Sequence, residues 1–204
     1  MGTPKTQSRI RQEQVLQAAL GIIAEHGLPG LSVARIAERI GLVPSALYRH
    51  FHNKDEIIDA VLDAVGGNLR RFVAQAAART DDPLECLHDI VIQHAHFIRQ
   101  HIALPRLLFS EDVMGNHGGH RERALAVIEN YLRDIEGILR RGQESGRLRP
   151  EFPPDTLSRL FLGIIQPAVV IWRLSGGRFD IVNHAEQSWK VFRSLIEPAP
   201  AKTS

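Results

Sequence analysis

The sequence predicts an all-α protein of about nine helices, and three observations predict it. Apolar residues recur at i, i+3 and i+4 along most of the chain. No run alternates at period two for long enough to make a strand, and no repeat of 20–50 residues is present. The gaps between periodic segments carry turn chemistry, as in "TDDP", "GNHGGH", "GRLRPEFPP" and "SGGRFD".

The elements follow in order. Val15, Ala18, Ala19, Ile22 and Ile23 form one buried helical face that Gly27 is placed to end. Ser32 is a suitable N-cap for a second helix with Val33, Ile36, Ala37 and Ile40 inward, and Gly41 breaks its pattern. Pro44 suits the first turn of a short third helix in which Leu47 and Phe51 share a face. Asn53 or Lys54 precedes a fourth, with Ile58, Val61, Leu62 and Val65 inward. Gly66-Gly67 is expected to interrupt or bend it, since two mid-helix glycines cost roughly 2 kcal/mol relative to alanines. Helical spacing resumes over 83–100, about 102–112, about 119–145, 154–175, where Pro167 should kink a buried helix, and 182–196. The division is expected at 1–66 and 67–204, a small helical domain followed by a larger one.

Composition narrows the class. Of 204 residues, 44% are apolar, which suits a globular chain. Cys86 is the only cysteine, so no internal disulfide framework exists, and Leu84, Leu87 and Ile90 around it suggest a buried thiol. The first residues have no apolar core of a secretory signal, and the run "FLGIIQPAVVIW" is short for a bilayer, so the expected location is cytoplasmic with no membrane partner. The formal charge of +2 is unevenly spread. Residues 1–54 hold seven basic and three acidic side chains, a local +4 that suggests a polyanionic partner for this head.

A short helix, a turn with glycine and a second short helix make the outline of a helix-turn-helix. At 100° per residue, with Leu47 and Phe51 inward, Arg49 points outward. Ser45 and Ala46 lie close to it, and Tyr48 and His50 take the two flanks. Small and donor side chains at the centre with longer polar ones at the edges suit a major groove. Lys54 and the first-turn N–H groups of the next helix can reach phosphate.

Residues 9–62, with "VLQAALGIIAEHG", "LSVARIAERIGL" and "SALYRHFHNKDEIIDAVL", resemble the DNA-binding domain of the TetR family of bacterial transcriptional regulators. "LYRHF" and "NKDEII" are the most diagnostic segments, and "GRLRP" before a long apolar helix is similar to the family's variable C-terminal half. The resemblance implies DNA contact at Ser45, Ala46, Tyr48, His50 and Lys54, with Tyr48, His50 and Lys54 mostly on phosphate. It places Pro44 at the bases or groove edge and gives Lys5, Arg9 and Arg11 the role of a basic arm. Arg35 and Arg49 complete the expected DNA set. One departure is Val43, where the family very often has a capping Ser or Thr; about 1 kcal/mol of helix stabilisation is forgone, less because Pro44 has no N–H to satisfy.

The resemblance further implies a homodimer on an inverted-repeat duplex, released by a small-molecule effector. Leu157, Leu160, Ile164, Ala168 and Ile171, joined by Trp189 and Phe192, are the expected dimer surface, because a helix apolar on most sides needs two surfaces to bury against. Phe97, Leu104, Leu108, Phe109, Ile128, Tyr131, Phe161, Ile165 and Trp172 are the candidate effector-pocket residues. Two alternatives stand. One is a metal-responsive regulator using His94, His101, His117 and His120; the other is a helical interaction module without DNA binding. No cofactor is expected. With no GxSxG, HExxH or dinucleotide fingerprint, an enzyme has no residue to attach to.

Overall fold

A computed structural model describes the backbone of residues 4–101, 103–115 and 118–198, and side chains from residue 14 onward. Among the described residues there are eleven α-helices, one 3-10 turn and no strand: α1 Pro4–His26, the 3-10 turn Leu28–Gly30, α2 Val33–Arg39, α3 Pro44–Tyr48, α4 Lys54–Arg79, α5 Pro83–Gln100, α6 Leu104–Leu108, α7 Glu111–Met114, α8 His120–Glu144, α9 Pro154–Gly163, α10 Gln166–Leu174 and α11 Ile181–Ile196. The count exceeds nine because two expected helices are each divided. Ser110 starts a new turn inside the first, its Oγ accepting from the Val113 N–H, which separates α6 from α7.

The second division is the work of Pro167. It has no N–H for the Gly163 carbonyl four residues back, and the Ile164 and Ile165 N–H groups turn instead to Phe161 and Leu162, three residues back. Pro167 itself is exposed, and the regular helix is interrupted just before it, at Ile164 and Ile165. Residues 154–174 together have the length and mean hydropathy, 1.4, of a membrane-crossing segment, more than the shorter run in the sequence suggests. Here Leu157, Phe161, Ala168, Val169 and Trp172 are buried in the protein's own core. Gly66 and Gly67 do not interrupt α4, which continues through both.

The chain divides into two compact units. The first takes Met1–Asn68 and His101–Ile128, and the second Leu69–Gln100 and Glu129–Ser204. In the first, α1, α2, α3 and the start of α4 close around Leu16, Ile23, Ile36, Leu47, Ile57, Ile58 and Leu62, all fully buried. α6 packs on α1 with Leu104 and Leu107 inward. Arg106 on α6 donates to the carbonyls of Ile23 and Ala24 (3.3 and 3.2 Å) in the last turn of α1, where Ile23 also accepts from the Gly27 N–H.

The second unit is centred on α5 against α11. α11 lays down Ile181, Ala185, Trp189, Phe192 and Ile196 as one helical stripe. Phe161 meets Trp189 and Phe192 edge-on, with ring centroids 6.5 and 5.8 Å apart, a favoured aromatic geometry. The "GRLRP" loop is tied down by Gln143, whose amide donates to the carbonyls of Arg149 and Phe152, and by the Arg149 N–H to the Ile196 carbonyl (2.8 Å).

Candidate nucleic-acid interface

The corner between α2 and α3 is built by a glycine. Gly41 sits at φ +69°, and its N–H and that of Leu42 reach back to the carbonyls of Glu38 (3.1 Å) and Ala37 (2.8 Å). This pair of bonds is the Schellman ending of a helix, and an L side chain at that φ is strained. At the other end of α2 the Ser32 hydroxyl accepts from the Arg35 N–H at 3.2 Å, the expected cap. Arg39 pairs with Glu25, tying the end of α2 to α1, and the hydrogen bond from Arg39 holds the Glu25 carboxyl below its ordinary pKa.

α3 begins without a side-chain cap. Val43 is exposed and extended (φ −72°, ψ 139°), and only its carbonyl serves the helix, accepting from the Ala46 N–H. Leu47 is 1% exposed and fixes the inward direction; Phe51 is half-buried. Regular helix stops at Tyr48, but Arg49 keeps helical dihedrals and the Phe51 N–H still bonds to the Leu47 carbonyl. Pro44, Ser45, Tyr48, Arg49 and His50 are exposed, and Ala46 is half-buried. Among the described residues, the side chains of Ser45, Tyr48, Arg49 and His50 have no hydrogen-bond or ionic partner, so their donors face outward unspent. Arg35 is also exposed, though its guanidinium donates to the Gly30 carbonyl at 3.1 Å. The side chains of Lys5, Arg9 and Arg11 lie outside the described residues.

The next turn is different. Asn53 caps α4, its Oδ1 accepting from the Glu56 N–H (2.9 Å). Glu56 reaches back to the His52 N–H (2.8 Å) and Nδ1 (3.1 Å), and the backbone bond, then the ring bond, lowers its carboxyl pKa. One first-turn N–H expected to face phosphate is therefore already used. Lys54 Nζ donates to Asp112 Oδ1 of α7 at 2.7 Å, in a partly buried pair. Asp55, Asp59 and Asp63 lie one turn apart along α4. Asp55 and Asp59 bracket the buried His120 ring at 3.3 Å (Nε2) and 2.9 Å (Nδ1), while Arg123 pairs with Asp59 (3.0 Å) and Asp63 (2.8 Å). The hydrogen bonds that Arg123 donates to Asp63, the larger cause, and the charges of Asp63 and Asp59 raise the Arg123 pKa. Sequence reading missed Asp112, His120 and Arg123 as partners of this turn; the four-residue spacing of the three aspartates was the one visible signal.

The remaining candidates are distributed over both units. In the first, Leu104 is buried, Leu108 and Ile128 are half-buried, and Phe109 is 58% exposed. In the second, Phe97, Tyr131, Phe161, Ile165 and Trp172 are buried. Phe97 meets Phe72 edge-on at 5.7 Å, and Tyr131 lies across the His94 ring with its hydroxyl 3.4 Å from Nδ1. Burial alone lowers the His94 pKa to about 4, so this imidazole is neutral at pH 7. Burial, with a smaller contribution from Asp134, raises the Tyr131 pKa. Of the expected dimer residues, Leu157, Ile164, Ala168, Trp189 and Phe192 are buried in the second unit, whereas Leu160 and Ile171 are exposed, as are Val170, Leu174 (84%) and Val191.

His94 belongs to the second unit and His101 and His120 to the first, and all three are buried. Among the described residues no three His, Cys, Asp or Glu side chains are grouped to hold a metal ion. His117 lies outside the described residues.

Comparison with known proteins fits this geometry. Residues 15–61 match the model of the bacterial regulatory proteins of the tetR family, and residues 67–196 match the C-terminal region of YsiA-like proteins of the same family. The fatty acid metabolism regulator protein of Bacillus subtilis is 22% identical over 178 residues, covering 86% of this chain and 90% of the relative. The nucleoid occlusion factor SlmA of Actinobacillus pleuropneumoniae is 24% identical over 202 residues, covering 95% and 96%. The crystal structure of the regulator FadR from Bacillus subtilis in complex with stearoyl-CoA superposes with a TM-score of 0.75 at 21% identity, covering 91% of this chain and 99% of that one. The chain thus belongs to the TetR family of DNA-binding transcriptional regulators.

Proposed function

We propose that the protein is a cytoplasmic repressor that holds an inverted-repeat operator as a homodimer and leaves it when an effector binds. The observation that carries this reading is the outer face of α3, where Ser45, Tyr48, Arg49 and His50 are exposed and without partners among the described residues. Donor side chains unspent within the fold are available to base edges and phosphates. Ser45, Ala46 and Arg49 are assigned to bases, Pro44 to the groove edge, and Tyr48, His50 and Lys54 to phosphates, with Arg35 adding positive charge at the rim. Residues 1–66 bind DNA; residues 67–204 bind effector and partner. No reaction is catalysed.

The exposed apolar residues Leu160 of α9, Val170, Ile171 and Leu174 of α10 and Val191 of α11 are assigned to the partner subunit. A second copy of the same surface covers it in a twofold dimer, as family members pair on DNA. The effector class is assigned to long-chain acyl thioesters, the ligand of the FadR relative. Buried Phe97, Tyr131, Phe161, Ile165 and Trp172 supply apolar walls for such a chain. Binding acts by population shift, so effector and operator weaken each other reciprocally.

Gly66 and Gly67, inside α4, are assigned the hinge. A Cβ at Gly67 would meet nothing within 4 Å, so Gly67→Ala should stabilise the fold by about 1 kcal/mol while blunting effector-driven release. Unchanged release would remove the hinge. The functional test is selection of bound duplexes from a random pool, then addition of stearoyl-CoA. An enriched inverted repeat displaced by stearoyl-CoA is the expected result. Absence of enrichment overturns the DNA reading; enrichment without displacement overturns the effector class alone.

A further inference from the structure

We infer that Lys54 is a shared cation, for which Asp112 of α7 competes with a DNA phosphate, so that α7 carries an autoinhibitory contact on DNA binding. The inference rests on the assignment of Lys54 to a phosphate. Of the cationic side chains assigned to DNA, Arg49 has no partner among the described residues and Arg35 donates only to a neutral carbonyl. Lys54 alone of these three faces a carboxylate, with Nζ 2.7 Å from Asp112 Oδ1.

The pair is built to persist and yet to exchange. Its side chains are 32% and 39% exposed, so the charges are partly desolvated but remain within reach of solvent and of an incoming anion. Both ends are held by their backbones. Lys54 is the first residue of α4, behind the Asn53 cap, on a turn whose next carboxylates are held by His120 and Arg123. Asp112 sits in the first turn of α7, which Ser110 caps and the fully buried Val113 anchors. With both backbones held, the change of partner is made by the flexible Lys54 stem.

Electrostatics gives the direction. An ammonium already paired with a carboxylate brings no net charge to a phosphate and releases no counterion there. The state in which Lys54 is paired with Asp112 is the one of lower DNA affinity.

The test is the salt dependence of affinity for the selected duplex, with full-length protein. Asp112→Asn should raise affinity about fivefold at 0.1 M salt and steepen the slope of log K against log salt by about 0.9 per half-site. Asp112→Ser should do the same, and Asp112→Glu, which keeps the charge, should match wild type. Asp112→Asn in a Lys54→Ala background should have no effect. A wild-type slope in both Asp112→Asn and Asp112→Ser, with melting curves showing folded protein, overturns the shared cation while leaving the DNA reading intact. Failure of wild type to bind any duplex overturns both.

Discussion

The outer face of α3 and the first turns of α4 are adjacent in sequence and opposite in construction. α3 turns Ser45, Tyr48, Arg49 and His50 outward with no partner among the described residues. The first turns of α4 place Lys54, Asp55, Glu56, Asp59 and Asp63 in ion pairs or hydrogen bonds with α7, α8 and the preceding loop. A surface that reads another molecule must keep its donors free, whereas one that orients the reader must spend them. The difference teaches that polarity and exposure alone do not mark a binding face; the state of each side chain's hydrogen bonds does.

Five substitutions test that division through stability, measured by urea or thermal unfolding. The largest effect is expected at His120, where the ring is buried between two carboxylates; His120→Ala should cost about 2 kcal/mol, more than the exposed Arg123→Ala, at under about 1 kcal/mol. An equal loss at both would mean that burial does not distinguish them. Next is Gly41→Ala, which should cost about 1 kcal/mol through its positive φ alone, since a Cβ there meets nothing within 4 Å. Third, Val43→Ser should stabilise by up to about 1 kcal/mol, because position 43 already has the extended backbone of an N-cap and lacks only the acceptor. The smallest effect belongs to Arg49→Ala, within about 0.5 kcal/mol of wild type. A large loss there would show that Arg49 serves the fold and would erase the contrast.

Much of the first unit was legible because its devices are local. Ser32, Gly41, Pro44 and Asn53 act within a few residues of themselves, and each appears in the structure in its expected part of a helix boundary. Gly66-Gly67 do not interrupt α4, because propensity is a weak term inside a long helix whose flanking Val65, Asn68 and Leu69 are buried; packing outweighed a cost of roughly 2 kcal/mol. The division at Ser110 was hidden because apolar spacing continues across it, whereas Pro167 marked the interruption of the other helix in advance. The pairs Lys54–Asp112 and Asp59–His120 join residues 58 and 61 apart, and nothing local in the sequence specifies such partners. In the second unit the apolar stripes were visible, but the sequence could not assign each residue to core or surface. Trp189 and Phe192 are enclosed in their own core while Leu174 and Val191 are exposed.

The most direct test of the division between reading and anchoring is to repeat the duplex selection with Arg49→Ala and with Lys54→Ala. Arg49→Ala should enrich a different or degenerate sequence, because base contacts carry specificity. Lys54→Ala should enrich the wild-type sequence with uniformly weaker binding, because a phosphate contact carries none. An unchanged sequence for Arg49→Ala together with an altered one for Lys54→Ala would contradict the account, since the face that reads DNA would then begin where α3 ends.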